Sequence, residues 1–443
     1  MTIFWQILKN WWWFFFPLIL YFPFRFFYLW WMRWEVFYKK SFKWILLEIK
    51  PPREVKKPFS AMENVFSMLW GIIDVGNWRE RWCKGALHPL GYGGWFSFEI
   101  CSFGGEVHIF MRIPDFFKNA AETAIFSQYP DAEISEVEDY TKKVPQNIPN
   151  EKWDLYSEDY TLAKPDHFPI KTYTMFFERP EEEKRVVEEK RLDPMDALLE
   201  ALSKLQSGEQ IWFQIVCNPI LDKIFPWQAK ARAEADRIAK RKSAKKPKSI
   251  FEEVFETLVM GKPKPKEEEK PLELIAPELR LTPGEREVLA GIENKLKKPI
   301  YQCWIRVIHL YKKDEPHNRG NYKLMREYLM SQFSTVHMNY FTYFGGTRTR
   351  IHYVAKGRRL YLRKRQRFKD YVERLPSYFP WNFRGDPPPF IKLIRYRTVP
   401  GIRATCLLSI EELATIFHFP TRIILPTVPR VEVKKVGPPP TLP

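Results

Sequence analysis

Two kinds of hydrophobic pattern divide the chain. Residues 11–31 form a nearly continuous apolar and aromatic run, whereas from residue 43 onward short period-two stretches are interleaved with stretches of helical spacing. Period two predicts strands, because successive strand side chains point to opposite faces, and helical spacing predicts an apolar stripe on one side of a helix. Residues 43–50 (KWILLEIK) read as a strand, 58–74 as an amphipathic helix and 95–102 (WFSFEICS) as a second strand. Phe103, Gly104 and Gly105 turn the chain into a returning strand at 106–113, followed by a helix over 114–128 with Pro114 in its first turn and a strand at 132–140. A second pass gives strand, helix and strand at 169–177, 194–206 and 209–217. After an interruption come strand, helix and strand at 300–310, 321–333 and 336–344.

With the interruption set aside, both passes run βαββαβ. This predicts an α+β fold: an N-terminal transmembrane or membrane-anchoring segment, then two tandem ferredoxin-like units, the second interrupted by a charged helical insertion. The expected divisions are an anchor with a basic juxtamembrane segment over 1–42, a first unit over 43–145, a linker over 146–168 and a second unit over 169–345 carrying the insertion 228–298. A basic connector over 346–404 and a C-terminal helix with a proline-rich tail over 405–443 complete the chain. Inside the insertion, 228–246 is a basic helical stretch, 249–260 a short amphipathic helix and 262–270 (KPKPKEEEK) too charged to fold. Thr282, ahead of Pro283, is placed to cap a helix ending near Lys297.

The run 11–31 holds one charge, Arg25, and at about 1.5 Å per helical residue it reaches roughly 30 Å, a bilayer's apolar thickness. Trp11, Trp12 and Trp13 at one end and Trp30, Trp31 and Trp34 at the other are spaced like interfacial aromatic belts. Arg33, Lys39, Lys40 and Lys43 follow, and the positive-inside rule then puts the bulk of the chain on the cytoplasmic side of the inner membrane, with membrane lipid as a partner. Pro17 and Pro23 would kink a helix and Arg25 is costly at depth, so an in-plane anchor stays open beside a spanning one.

Charge adds a second partner class. The net charge of +18 over 443 residues points to a polyanionic neighbour, nucleic acid or an anionic lipid surface. The densest cluster runs from Arg348 to Lys369 and includes Arg350, Arg358, Arg359, Arg363, Lys364, Arg365 and Arg367, interleaved with Tyr353, Tyr361 and Phe368. Cations neutralise phosphates and aromatic rings stack on bases, yet the same mixture suits an anionic headgroup layer. Composition leaves both readings open, beside that of a solvated inter-domain connection.

Catalytic signatures are missing. The sequence has no G-x-x-x-x-G-K-[ST], no G-x-S-x-G and no H-E-x-x-H, and its five cysteines are scattered without a C-x-x-C pair. A non-enzymatic protein without cofactor or metal is therefore expected. The acidic set Glu133, Glu136, Glu138 and Asp139 reads as a solvated strand edge in preference to a cation site. Near the C-terminus, Leu413, Ile416 and Phe417 fall on one apolar helix face, which suits either a docking surface for a partner or packing within this protein.

Several segments together carry a resemblance. The stretches FEICSFGGEVHIFMRIP and FSQYPDAEISEVEDY within 96–140, GEQIWFQIVCNP at 208–219, LTPGEREVLAGIENKL at 281–296 and LLSIEELATIFHFPT at 407–421 are similar to the N-terminal, membrane-associated, non-ATPase region of type IV secretion coupling-protein-like ATPases of small-genome candidate-phyla bacteria. These motifs are structural, and no phosphate-binding residue is carried over. In that family the EELATIFHFPT element leads through a proline-rich connection into a DNA-translocating motor, whereas this sequence closes with GPPPTLP. The resemblance implies a membrane-anchored scaffold or adaptor of a secretion- or conjugation-like system, acting with a separately encoded P-loop ATPase, or a truncated copy of such a protein. A membrane-tethered nucleic-acid-binding protein without a motor, and an enzyme with an unrecognised site, remain as alternatives.

Overall fold

The structure is a computed structural model. It describes residues 43–51, 55, 58–73, 95–176, 193–222, 227–241, 281–335, 337–345, 347–351, 355–374 and 405–420, together with a set of helical positions between 5 and 24.

Among the described residues, nine strands form one antiparallel sheet. In chain order the elements are β1 (Trp44–Lys50), α1 (Pro58–Trp70), β2 (Phe96–Phe103), β3 (Glu106–Pro114), α2 (Lys118–Gln128), β4 (Glu133–Val137), β5 (Trp153–Leu162), α3 (Pro194–Ser203) and β6 (Glu209–Pro219). There follow α4 (Gln228–Ile238), α5 (Pro283–Leu296), β7 (Ile300–Lys312), α6 (Tyr322–Ser331), β8 (Phe341–Tyr343), α7 (Lys356–Val372), β9 (Cys406–Ser409) and α8 (Ile410–Ile416). The strands lie in the order β4-β1-β3-β2-β6-β7-β5-β8, and β9 pairs with β7.

This sheet overturns the expectation of two tandem ferredoxin-like units. The first four strands and the next four each follow the same internal order, but β2 pairs with β6 from Phe96↔Cys217 to Phe103↔Gln210, so both sets share one sheet. The reason is burial. Nearly every residue of β2 and β6 is buried, and a strand covered on both faces cannot leave its backbone N–H and C=O groups unpaired at an edge. Periodicity reveals strands but not which edges must meet.

The expected spanning helix is also corrected, since no helix among the described residues is long and apolar enough to cross a membrane. The aromatic run is built largely of Trp, Phe, Tyr and Pro. Indole and phenol groups favour the membrane–water boundary over the hydrocarbon centre, so such a run is less apolar than its ring count suggests.

Alternating side chains give the sheet two faces. Cys303, Ile305 and Val307 of β7 join one core with Phe66 of α1, Ile125 of α2, Leu202 of α3, Leu329 of α6 and Leu413 of α8. Ile308 and Leu310 face the other way and pack with Trp212, Phe110, Phe368 and Tyr371, the last two from α7. A third cluster joins α4 and α5 through Ala231, Ala235, Val288 and Ile292. Thr282 caps α5, its hydroxyl accepting from the Glu285 N–H while the Glu285 carboxylate accepts from the Thr282 N–H. Gly104 and Gly105, with φ of 59° and 100°, supply the left-handed turn between β2 and β3.

Three further boundaries differ from the sequence reading. The first strand of the second half is β5, inside the expected linker, and the stretch 169–177 holds only a short 3-10 turn, Tyr173–Met175, among its described residues. β5 (WDLYSEDYTL) carries Asp154, Glu158 and Asp159, which disguise it as a loop; Glu158 and Asp159 are buried and Asp154 is partly buried. The expected basic connector contains α7, and residues 406–416 enter the sheet and core as β9 and α8. The expected helix at 249–260, the charged stretch 262–270 and the tail beyond 420 lie outside the described residues.

Candidate anion-binding face

One polar row crosses the sheet beneath α7. The registers place Glu48 opposite Phe110, Phe110 opposite Glu99, Glu99 opposite Gln214, Gln214 opposite Arg306 and Arg306 opposite Asp159. Glu99, Gln214, Arg306 and Asp159 are all buried. Charges taken out of water must be paired and hydrogen-bonded, and α7 with its flanks provides the partners.

Arg374, two residues past α7, is the centre of that arrangement. Its Nε donates to Glu99 Oε1 at 2.9 Å, its Nη2 donates to Glu99 Oε2 at 3.1 Å and to Asp139 Oδ1 at 3.0 Å, and its Nη1 pairs with Asp139 Oδ2. Glu99 also accepts from Ser97 Oγ at 2.7 Å, Tyr140 OH at 2.6 Å and Gln214 Nε2 at 2.9 Å. Burial pushes the Glu99 carboxyl up, but Arg374 and these donors more than offset it and hold the group below the usual carboxylate range. Burial likewise disfavours the Arg374 charge, and Glu99, Tyr140 and Asp139 reverse that, leaving its pKa raised.

Further along α7 the pattern repeats. Arg367 Nη1 donates to Asp159 Oδ2 at 3.2 Å, Lys364 Nζ reaches Asp154 Oδ1 at 2.5 Å, and Arg306 Nη1 donates to the Asp370 carbonyl at 3.0 Å. At the nearby sheet edge, Arg348 Nε donates to Tyr156 OH at 2.7 Å and lies 3.1 Å from Glu158 Oε1, which Arg326 also contacts. Both guanidinium groups sit over the Tyr343 ring, 4.9 Å away for Arg326 and 4.8 Å for Arg348.

The structure therefore separates the basic residues singled out by sequence. Arg348, Lys364 and Arg367 turn toward the sheet and are held by its carboxylates. Half-buried Arg363 donates to the Arg348 carbonyl at 2.9 Å. Burial and then its positive neighbours Arg359 and Arg367 push its pKa down. Arg350, Arg358, Arg359 and Arg365 are exposed. The acidic strand edge is paired with lysines, Glu133 to Lys50 at 3.1 Å, Glu136 to Lys118 at 2.9 Å and Glu138 to Lys142 at 3.5 Å, while Asp139 serves Arg374.

The docking role expected for Leu413, Ile416 and Phe417 is corrected, because this chain itself covers all three. They are fully buried: Phe417 stacks on Phe98 with centroids 4.6 Å apart, and the Ile416 carbonyl accepts from Tyr328 OH at 2.7 Å. Of the aromatic belt, Trp12 and Trp13 lie on helical, exposed positions, and Trp11, Trp30, Trp31 and Arg33 fall outside the described residues.

Sequence reading missed Glu99, Asp159, Arg306 and Arg374. A signal was present: Glu99 in FSFEICS, Gln214 in IWFQIVC and Arg306 in CWIRVIH are polar residues inside otherwise apolar strands, and such residues must meet partners. A separate cleft of about 620 Å³ is lined by Phe168, Arg237, Lys240, Glu285, Val288 and His337, beside an α5 N-terminus that its own capping box already satisfies. Among the described residues, no group of His, Cys, Asp and Glu side chains is arranged to hold a metal ion. No protein-family model matches the chain, and a search of curated proteins gives no match.

Proposed function

We propose that this chain is a non-catalytic scaffold or adaptor working against the cytoplasmic face of the inner membrane, with a separately encoded P-loop ATPase of a secretion- or conjugation-like system as its partner. One observation carries the membrane part. Trp5, Trp12, Trp13, Phe14, Phe16, Leu20, Tyr21 and Phe24 are all exposed, from 45% for Leu20 to 71% for Phe24. At about 100° per residue, these eight positions spread over an arc of roughly 200°, about twice the width of the apolar stripe that a helix of a water-soluble domain turns inward. A helix exposing large apolar side chains over so wide an arc is costly in water and suits the interfacial layer of a bilayer, where Trp and Tyr keep a polar edge wet. The motor partnership rests on the sequence resemblance alone. A second reading, a membrane-tethered nucleic-acid-binding protein, is favoured by the Arg326–Tyr343–Arg348 cluster at the sheet edge.

Flotation on phosphatidylcholine vesicles tests the membrane part. The full chain is expected to float and a chain lacking residues 1–34 to stay behind. Equal flotation of both, or of neither, would reject the aromatic helix as the membrane contact. Co-purification with a P-loop ATPase encoded beside this chain tests the partnership, and a purified pair that fails to associate would remove it.

A further inference from the structure

The basic helix α7 has an outward strip as well defined as its inward one. Arg358, Tyr361, Leu362, Arg365 and Lys369 stand at i, i+3, i+4, i+7 and i+11, so they share one side of the helix. All five are exposed, Tyr361 at 42% and Leu362 at 54%. On the opposite side, Lys364, Arg367, Phe368 and Tyr371 fix the helix to the sheet. Arg358 and Arg365 meet no carboxylate among the described residues; Arg365 donates to Tyr361 OH at 2.9 Å, and Lys369 is 3.9 Å from the partly exposed Glu373. The sheet's acids are thus consumed by the inner cations, and the outer ones remain as a surplus of positive charge.

We propose that this outward strip of α7 is an electrostatic contact with an anionic phospholipid surface, separate from the aromatic N-terminal helix; it rests on the membrane-surface function proposed above. Three features favour a lipid surface over nucleic acid. The strip is a convex helix ridge, roughly 16 Å long at about 1.5 Å per residue, which fits a plane, whereas single-stranded nucleic acid is held in a groove with rings free to stack. Leu362 lies between the cations, where it serves no phosphate backbone but gains by entering the boundary between headgroups and acyl chains. Arginine and lysine stems beside it can lie along that boundary while their charged ends reach the phosphates. Because the inner side of α7 is tied to β5, β6 and β7, the contact also fixes how the sheet is presented at the membrane.

The test uses the full-length chain, wild type and Arg358→Gln/Arg365→Gln/Lys369→Gln. Both are floated with vesicles of phosphatidylcholine alone and of phosphatidylcholine mixed with phosphatidylglycerol, and titrated with a labelled oligothymidylate. Wild type should bind the anionic vesicles more tightly than the neutral ones, with the difference shrinking as salt rises. The triple variant should lose that difference, on the order of a hundredfold in partitioning for three cations, while binding neutral vesicles as wild type does. Leu362→Ser should weaken anionic-vesicle binding without altering oligonucleotide binding. An undiminished preference for anionic vesicles in the triple variant would overturn the proposal. So would loss of oligonucleotide binding with vesicle binding intact, which would assign the strip to nucleic acid. Absence of neutral-vesicle binding in wild type sinks the membrane-helix function instead, and the anionic increment still reads the strip on its own.

Discussion

On one face of the sheet Phe98, Ile305 and Leu413 meet in a mainly apolar core, while on the other the next residues along the same strands are held by polar contacts, Glu99 by an ion pair with Arg374 just past a basic helix and Arg306 by a hydrogen bond to that helix's Asp370 carbonyl. The apolar face depends on area and shape, so it tolerates an altered residue in proportion to the volume lost. The charged face depends on matched partners, so removing one leaves the other stranded in low dielectric, while removing both can cost little.

The sharpest test of that contrast is Arg374→Ala, which strands Glu99 and Asp139 together and is expected to cost about 3–5 kcal/mol in urea unfolding. Replacing the pair as Glu99→Leu with Arg374→Met should recover much of the loss. If the single change costs under about 1 kcal/mol, the network is not what holds α7 down.

On the apolar face, Leu413→Ala is expected to cost about 2–5 kcal/mol, and no second substitution at a charged position should rescue it. An unchanged unfolding midpoint would instead return Leu413 to the surface and to a docking role.

The smallest effect probes a single acid. Lys295 Nζ is taken by Glu412 at 2.9 Å and by the Leu407 carbonyl at 2.8 Å, and neighbouring Asp166 is raised to about 6, burial being the main cause. A carboxyl whose folded pKa lies above its ordinary value of about 4 favours folding in its protonated form. That contribution is complete below about pH 4 and lost as pH rises through about 6. Asp166→Asn should therefore melt higher than the parent above that range, with the gap closing in acid. A gap independent of pH would mean that Asp166 ionises normally.

Most strands and helices were legible in the sequence because their apolar spacing is regular: β1, β2, β3, β6 and β7 and helices α1, α3 and α6 fall where period and turn residues place them. β5 was not, because three of its ten residues are acids whose partners, Lys364, Arg367, Arg326 and Arg348, lie far along the chain. β9 was not, because four residues give too little pattern to count. For the candidate site, the charge of α7 was plain but its division was not. Only the packing of α7 on the sheet tells that Arg367 faces Asp159 while Arg365 faces solvent. A charge reversal spread over Arg358, Arg359, Arg363, Lys364 and Arg365 would thus disturb folding and surface contact together.

β9 also bears on how such a molecule is made. β5 covers β7 from Ile305 to Lys312, and β9 pairs with Ile300 to Cys303 on the side opposite β6, so two segments distant in sequence share a single lane of the sheet. Synthesis runs from the N-terminus, and eight strands leave the ribosome before the one that seals this lane. During that interval β7 keeps an open edge and Phe98 lacks its stacking partner Phe417. A nascent chain held with an unpaired strand and uncovered aromatic rings is an invitation to mispairing between neighbours on a polysome, and to capture by chaperones that recognise such surfaces.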